Sequence, residues 1–191
     1  VQNVPVKAVQ LDELWDFVAC KEKTKLARGR TDEECGDVWT WCAIDADTKL
    51  VPTWLVGHRD AEYATEFMKD LAERLANRVQ LTTDGLKSYL SAVDEAFGID
   101  VDFAQLVKQY GHAESEGPSR YSPAECIGCK KDWITGSPDN EHVSTSYVER
   151  QNLTMRMSMK RFARLSNGFS KKVENHEHMV ALHYMYYNFA R

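Results

Sequence analysis

The chain has 191 residues, with 24 Lys/Arg against 29 Asp/Glu and a formal net charge of -5. This length suits one well-buried domain and is short for two. No apolar run approaches the roughly 18 residues that a membrane-spanning helix needs, and the first residues lack the basic start and apolar block of a signal peptide. These features exclude a membrane partner and favour a cytoplasmic protein.

Five cysteines occur in the chain, and an odd count without an export signal favours free thiols in a reducing cytosol. The sequence starts without Met and enters a strand pattern almost at once, so we expect it to be a fragment with a segment missing upstream.

Three strands open the predicted order. Alternating apolar residues over 4–18 predict the first strand, with Leu11 on one face and Asp12 on the other. A loop over 21–37 follows, and stretches rich in β-forming residues predict strands at 38–45 and 50–57. Because the last connection is short, these strands are expected to form an antiparallel meander.

Helices and strands alternate after the meander. Apolar residues at helical spacing after Asp60, a plausible N-cap, predict a helix over about 60–77. A fourth strand, a second helix and a fifth strand are predicted at 79–83, about 86–97 and within 99–109. Residues 111–143, rich in Gly, Pro, Ser and charge, predict a long loop. Two helices complete the chain, one capped by Ser144 or Thr145 and running to about Leu165, the other over 170–190.

This order predicts an α/β fold: a mixed five-stranded sheet with helices on both faces, in a single domain spanning 1–191. The order β-β-β-α-β-α-β-α-α is that of the ribonuclease-H-like fold. In that fold the first and fourth strands are neighbours, which is a property of the fold rather than of the periodicity seen here.

Three acids occupy special places in this order. Asp12 lies on the first strand, Asp84 ends the fourth strand before a glycine, and Glu149 lies in the first turn of the late helix. Converging carboxylates repel one another unless they bind hard cations. Two Mg²⁺ ions about 3.5–4 Å apart are a common arrangement for in-line attack on a phosphodiester, so we expect Mg²⁺, with Mn²⁺ as a substitute.

Asp45 is the alternative to Asp12 for the first position, because it also follows a strand. The ribonuclease-H-like fold puts the first carboxylate on the first strand, with two further strands before the first long helix. Two such strands follow Asp12 and only one follows Asp45, so we assign Asp45 to a turn.

Cations are concentrated after Glu149. The segment 150–172 contains seven Lys/Arg and no Asp/Glu, although acids outnumber bases in the whole chain. At 100° per residue, Arg156 and Lys160 lie within about 20° of Glu149, flanked by Asn152 and Arg164. An acidic body with one basic strip indicates a polyanion bound along one edge, and a phosphate backbone fits this pattern. The predicted DNA-binding residues are Arg150, Asn152, Arg156, Lys160, Arg161, Arg164, Lys171 and Lys172.

One Cys-x-x-Cys pair, Cys126 and Cys129, lies in the predicted loop. A structural zinc site needs four ligands and usually two such pairs. His112 and His142 are the only distant candidates for the remaining ligands, so we expect no structural zinc.

The chain resembles the DDE transposases of bacterial insertion sequences, specifically the insertion-sequence-one group. The stretches LDELWDFV, TTDG, YVERQNLTMRMSMKRFARL and FSKKVENHEHMVALHYMYYNF carry the resemblance, and the last two are specific. It implies a ribonuclease-H-like core that cuts and joins DNA ends. The family's three catalytic and metal-binding acids correspond to Asp12, Asp84 and Glu149, and its Asn and Arg after the Glu correspond to Asn152 and Arg156.

The resemblance also implies the partners: double-stranded DNA, as transposon ends and target, and a homo-oligomer that joins two ends in a synaptic complex. It implies a bacterial, nucleoid-associated protein. Such proteins commonly carry an N-terminal zinc-ribbon or helix-turn-helix segment that reads the ends of the element. Nothing in this sequence corresponds to that segment, so the DNA-end-reading domain is expected to be absent.

Two other functions remain open from the sequence. A ribonuclease H or junction resolvase would share the fold and the metal site but would not transfer strands. A domesticated, non-catalytic DNA-binding module would retain the basic strip, although the presence of all three acids disfavours it.

Overall fold

The computed structural model describes residues 1–31, 35–111, 125–162 and 167–190. The strands are β1 (Ala8–Val18), β2 (Gly36–Asp45), β3 (Trp54–Gly57), β4 (Val79–Thr83), β5 (Val101–Gly111) and β6 (Glu125–Thr135). They form one mixed sheet in the order β3-β2-β1-β4-β5-β6. Strand β4 runs parallel to β1 and β5, and the other neighbours are antiparallel.

The helices are α1 (Glu22–Ala27), α2 (Ala61–Arg74), α3 (Ser88–Phe97), α4 (Ser146–Ser158) and α5 (Val173–Phe189), with a 3₁₀ turn at Lys160–Phe162 after α4. The short helix α1 falls within a segment that the sequence predicts as loop. Asp60 caps α2 as predicted, since its side chain accepts a hydrogen bond from the Tyr63 amide. Within the described ranges, no helix is long and apolar enough to cross a membrane.

The sheet has six strands rather than the predicted five. Strand β6 lies within residues 111–143, which the sequence predicts as a loop, and it pairs with β5 at the edge of the sheet. Register shifts at two places in this pairing interrupt the two-residue alternation by which strands are recognised in a sequence. Residues 112–124 of the predicted loop lie outside the described residues.

Each face of the sheet is covered by helices, as predicted. Val9 and Leu11 of β1 pack in one core with buried residues of α2 and α3. Leu14 and Val18, on the opposite face of the same strand, pack in a second core with residues of α4 and α5. Apolar residues on both faces of β1 account for its central position, where it is covered on either side.

Helix α4 is shorter than the sequence predicts, because it ends at Ser158 rather than near Leu165. Met159 has an extended backbone (φ −111°, ψ 112°), and the 3₁₀ turn follows it. This change of direction buries both Met159 and Phe162 in the second core. The predicted α-helical positions of Lys160 and Arg161 are therefore wrong, because both residues lie in the 3₁₀ turn. Arg164 lies outside the described residues.

A glutamine of β1 caps the start of α4. The Gln10 side-chain oxygen accepts hydrogen bonds from the amides of Tyr147 (2.7 Å) and Val148 (3.3 Å), which the helix itself leaves without partners. Thr145 occupies the N-cap position, as predicted, but its hydroxyl bonds the Glu149 side chain instead of a backbone amide. The start of α4 is thus positioned by β1.

We predict that Gln10→Ala lowers the free energy of unfolding by about 1–2 kcal/mol, because it leaves the amides of Tyr147 and Val148 without this acceptor. Urea denaturation measures the difference, with exposed Gln109→Ala as the matched control, expected within about 0.5 kcal/mol of the parent. Equal stability of the Gln10→Ala and Gln109→Ala proteins would contradict the capping role.

Candidate active site

Two of the predicted acids lie side by side at the ends of neighbouring strands. Gln10 of β1 pairs with Thr82 of the parallel strand β4, so the register places Asp12 level with Asp84. Asp84 directly follows β4, and its Oδ1 accepts a hydrogen bond from the Leu86 amide at 2.9 Å. Asp84 therefore stabilises the turn and also presents a second carboxylate oxygen.

Glu149, in the first turn of α4, faces the same space as the two aspartates. The three acids line one cleft of about 670 Å³, together with residues of β5 and the β4–α3 turn that include Lys87, Lys108 and Tyr110. The Glu149 carboxylate accepts hydrogen bonds from Lys108 Nζ and from the Thr145 hydroxyl, each at 2.5 Å. These two donors hold its side chain at the cleft wall.

Glu13, which the sequence analysis does not select, forms a close acidic cluster with Asp12 and Asp84, and Glu149 lies outside this cluster. Carboxylate oxygens of Asp12, Glu13 and Asp84 lie within 4.8 Å of one another. The Glu13 side chain is only 2% exposed, against 37% for Asp84 and 40% for Glu149. It accepts hydrogen bonds from Arg59 Nε (2.6 Å) and the Tyr89 hydroxyl (3.2 Å), so its oxygens are engaged inside the protein.

Burial and mutual repulsion disfavour the charged forms of two of these acids. Desolvation raises the pKa of Asp12 to about 6, and the nearby charge of Asp84 adds to the rise. Desolvation likewise raises the pKa of Glu13 to about 7, with Asp84 and Asp12 as further causes and Arg59 opposing them. Asn152 partly offsets the rise at Asp12, because its Nδ2 donates a 2.8 Å hydrogen bond to Asp12 Oδ2.

Two cations compensate part of this negative charge. Arg59 pairs with Glu13 at 2.5 Å and lies 3.8 Å from Asp84, while Lys108 pairs with Glu149. Neither pair has a helical spacing that could reveal it in the sequence, since the partners are 46 and 41 residues apart. The only available signal for Lys108 is its position towards the carboxyl end of a strand beside the one that ends at Asp84.

The predicted DNA-binding residues have different surroundings in the structure. Asn152 is buried and bonds Asp12, and Arg161 is half-buried with its guanidinium donating to the Ser170 hydroxyl at 3.3 Å. The remaining described members of the set are exposed at the surface: Arg150, Arg156, Lys160, Lys171 and Lys172.

Asp45 has the turn role that the sequence predicts. Its side chain accepts hydrogen bonds from the amides of Asp47 and Thr48 just after β2. Its pairing with Val9, three residues before Asp12 on β1, places it away from the acidic cluster.

The donor set fits a hard divalent cation. Asp12, Asp84 and Glu149 offer only carboxylate oxygens, the ligands that Mg²⁺ and Mn²⁺ prefer. Burial, followed by the charges of Asp84 and Glu149, raises the pKa of Asp12, and a bound cation would oppose these effects by favouring the ionised carboxylate. Glu13 fits less well as a ligand because Arg59 and Tyr89 engage both of its oxygens, whereas Lys108 and Thr145 both bond the same oxygen of Glu149, Oε1.

Two family models match the chain. One, described as "DDE domain", matches residues 35–115, and the other, described as "IS1 transposase", matches residues 135–189. Asp84 falls in the first range and Glu149 in the second, while Asp12 precedes both. The resemblance to DDE transposases of insertion sequences is confirmed. The matches support a transposase function.

Comparison with characterised proteins adds little to these matches. No curated protein matches the chain. Among solved structures, a piggyBac transposase synaptic complex with hairpin DNA aligns with 93% of this chain at 12% identity and a TM-score of 0.35. The chain spans about two fifths of that protein's length, since 41% of it is covered.

We predict that Asp12→Asn stabilises the metal-free protein at pH 7.5 by roughly 3 kcal/mol. The pKa of Asp12 in the folded protein, about 6, lies above its usual value, so folding disfavours the ionised carboxylate. The wild-type protein therefore loses stability as the pH rises from about 4 to about 6. The variant lacks this loss. Chemical denaturation at pH 4 and pH 7.5 tests the prediction, because the advantage of the variant should vanish at the lower pH.

With Mn²⁺ at pH 7.5, the wild-type protein should become more stable than the Asp12→Asn variant. A cation that binds only the folded state stabilises the wild type and has little effect on a variant lacking one ligand charge. Equal stabilisation of both proteins by Mn²⁺ would exclude Asp12 from the metal site.

Proposed function

We propose that the chain is the catalytic domain of a DDE transposase, a single domain with a ribonuclease-H-like arrangement of its sheet. In this proposal Asp12, Asp84 and Glu149 are the catalytic acids and hold two divalent cations, Mg²⁺ or Mn²⁺. The observation that carries it is that these three acids, supplied by β1, the end of β4 and the first turn of α4, line one cleft. The two transposase family matches support it.

The proposed reaction cleaves a phosphodiester at the end of a transposon and joins the freed 3′-hydroxyl to target DNA. The cations would supply Lewis-acid polarisation of the phosphate and lower the pKa of the attacking hydroxyl or water. The chain's own contribution is to fix the carboxylates before DNA arrives, since preorganised charges cost no rearrangement during the reaction.

Several contacts support such preorganisation. Asn152 fixes one oxygen of Asp12, Gln10 fixes the start of α4, and the Thr145 hydroxyl orients Glu149. Lys108 neutralises Glu149 in the metal-free protein and is expected to release it, as the cations bind, to face the DNA phosphates. Asn152 is thus proposed to act on Asp12 rather than directly on DNA.

DNA is proposed to pass from the cleft along the basic strip. Its proposed phosphate contacts are Arg150, Arg156, Lys160, Arg161, Arg164, Lys171 and Lys172. The acidic remainder of the surface would repel DNA and so restrict it to this edge. Because two transposon ends must be joined, the active form is proposed to be a homo-oligomer in a synaptic complex.

The catalytic assignment predicts that Asp12→Asn, Asp84→Asn and Glu149→Gln each lower Mg²⁺-dependent cleavage and strand transfer at least about 100-fold, because each removes a charge that holds the cations. Asp45→Asn tests the rival residue, and exposed Asp47→Asn serves as the matched surface control. Both are expected to remain active, after correction for the folded fraction of Asp45→Asn. Labelled DNA carrying a transposon end measures both steps.

Retained activity in any one of the three variants would remove that residue from the site. Hydrolysis of an RNA–DNA hybrid without any strand transfer would instead identify a nuclease.

The basic strip predicts a salt-dependent affinity. Replacing exposed Lys160 and Lys172 together with Gln should weaken DNA binding similarly for all sequences and reduce the slope of log K against log salt by about 2, since each phosphate contact contributes about 0.9. Lys7→Gln with Lys23→Gln, also exposed, is the matched control and should leave the slope unchanged. Fluorescence anisotropy at several salt concentrations measures both. An unchanged slope in the Lys160/Lys172 variant would place DNA elsewhere.

A further inference from the structure

Strand β6 presents two thiols next to each other at the protein surface. Cys126 and Cys129 are both exposed, and their sulfurs lie 4.0 Å apart. The other three cysteines are buried: Cys20, Cys35 and Cys42. Among the five thiols, this pair alone combines exposure with a neighbouring sulfur, and neither the candidate active site nor the proposed DNA surface uses it.

A local irregularity of the strand brings the two sulfurs together. Residues three apart in a regular strand point to opposite faces of the sheet. Here the register shifts at Gln109/Tyr110, so that Cys126 pairs with Tyr110 while Cys129 pairs with Lys108. Ile127 is the extra residue of this bulge, and it is 71% exposed. The bulge turns Cys126 towards the side of Cys129.

We propose that Cys126 and Cys129 form a reversible dithiol–disulfide site whose substrates are small disulfide oxidants of the glutathione class. A disulfide bond is about 2.05 Å long, roughly 2 Å shorter than the present separation. Side-chain rotation can close this gap because both residues are exposed and no packed core restrains them. The proposal does not depend on the proposed function.

The exchange proceeds in two steps. One cysteine thiolate attacks a sulfur of glutathione disulfide, forming a mixed disulfide and releasing one glutathione thiolate. The second cysteine thiolate attacks the cysteine sulfur of the mixed disulfide and releases the second glutathione. The protein loses two electrons and two protons, and glutathione disulfide is reduced to two glutathione molecules.

The location gives the site a connection to the cleft. Cys129 lies directly opposite Lys108 in the β5–β6 register, and Lys108 pairs with Glu149. Tyr110, opposite Cys126, also lines the cleft. The disulfide would therefore form on β6, which pairs with the strand that supplies one wall of the acidic cleft, and it would fix the bulge.

Thiol titration and intact mass under native conditions test the proposal. The reduced protein should show two thiols that react without denaturant, and after incubation with glutathione disulfide it should show none, with a mass lower by two hydrogen atoms and no glutathione attached. Dithiothreitol should restore both thiols. Persistent glutathione adducts, an unchanged thiol count, or disulfide-linked dimers would each overturn the proposal.

Single variants give the matched controls. Cys126→Ser and Cys129→Ser each leave one exposed thiol, which should stop at the glutathione mixed disulfide because no second thiol can resolve it. Both substitutions are at exposed positions and leave the core unchanged, so circular dichroism should match the parent. Complete loss of the adduct in a single variant without reducing agent would show that another cysteine acts as the resolving thiol and would contradict the pairing.

Discussion

The repulsion among closely placed carboxylates at the junction of β1 and β4 is the constraint on which the rest of the site depends. Asp12, Glu13 and Asp84 bring their oxygens within 4.8 Å of one another in a partly dehydrated place. Such a cluster destabilises the folded chain unless positive charge compensates it. The structure offsets this negative charge in two ways. Glu13 is paired with Arg59, whereas Asp12 accepts a hydrogen bond from the neutral amide of Asn152. Burial is the first cause of the raised pKa of Asp12, and the charge of Asp84 adds to it.

The packing of α4 against β1 places Glu149 at the same cleft as Asp12 and Asp84. Gln10 and Asp12 point to the same face of β1. Gln10 caps the start of α4, and Asp12 accepts a hydrogen bond from Asn152 in the next turn of that helix. These two contacts fix the helix at the height where Glu149 opens on the cleft. The apolar residues Val148 and Met155 bury the other side of the helix in the second core, so its rotation is determined as well. Stability and site geometry thus depend on the same strand–helix contact.

The sequence predicts those features that depend on local patterns. The alternation around Asp12, the turn after β4 at Asp84 and the acid in the first turn of α4 are local, and the structure has each of them in the expected element. Strand β6 is missed because its bulges interrupt the alternation. The end of α4 at Ser158 is missed because neither glycine nor proline marks it, and the tertiary packing of Met159 and Phe162 determines it. Arg59 and Lys108 are missed because their acidic partners are distant in the chain, and pairs so far apart produce no recognisable spacing in the sequence.

The central claim is that Asp12, Asp84 and Glu149 together hold the catalytic cations, with Glu13 excluded by its internal partners. A crystal structure of the protein soaked with Mn²⁺, with the metal located by anomalous scattering, tests it most directly. The account predicts Mn²⁺ in contact with Asp12 and Asp84, the Glu149 carboxylate turned from Lys108 towards the metal, and Glu13 still paired with Arg59. Mn²⁺ held by Asp12, Glu13 and Asp84 while Glu149 stays on Lys108, or no Mn²⁺ in the cleft at all, would contradict it.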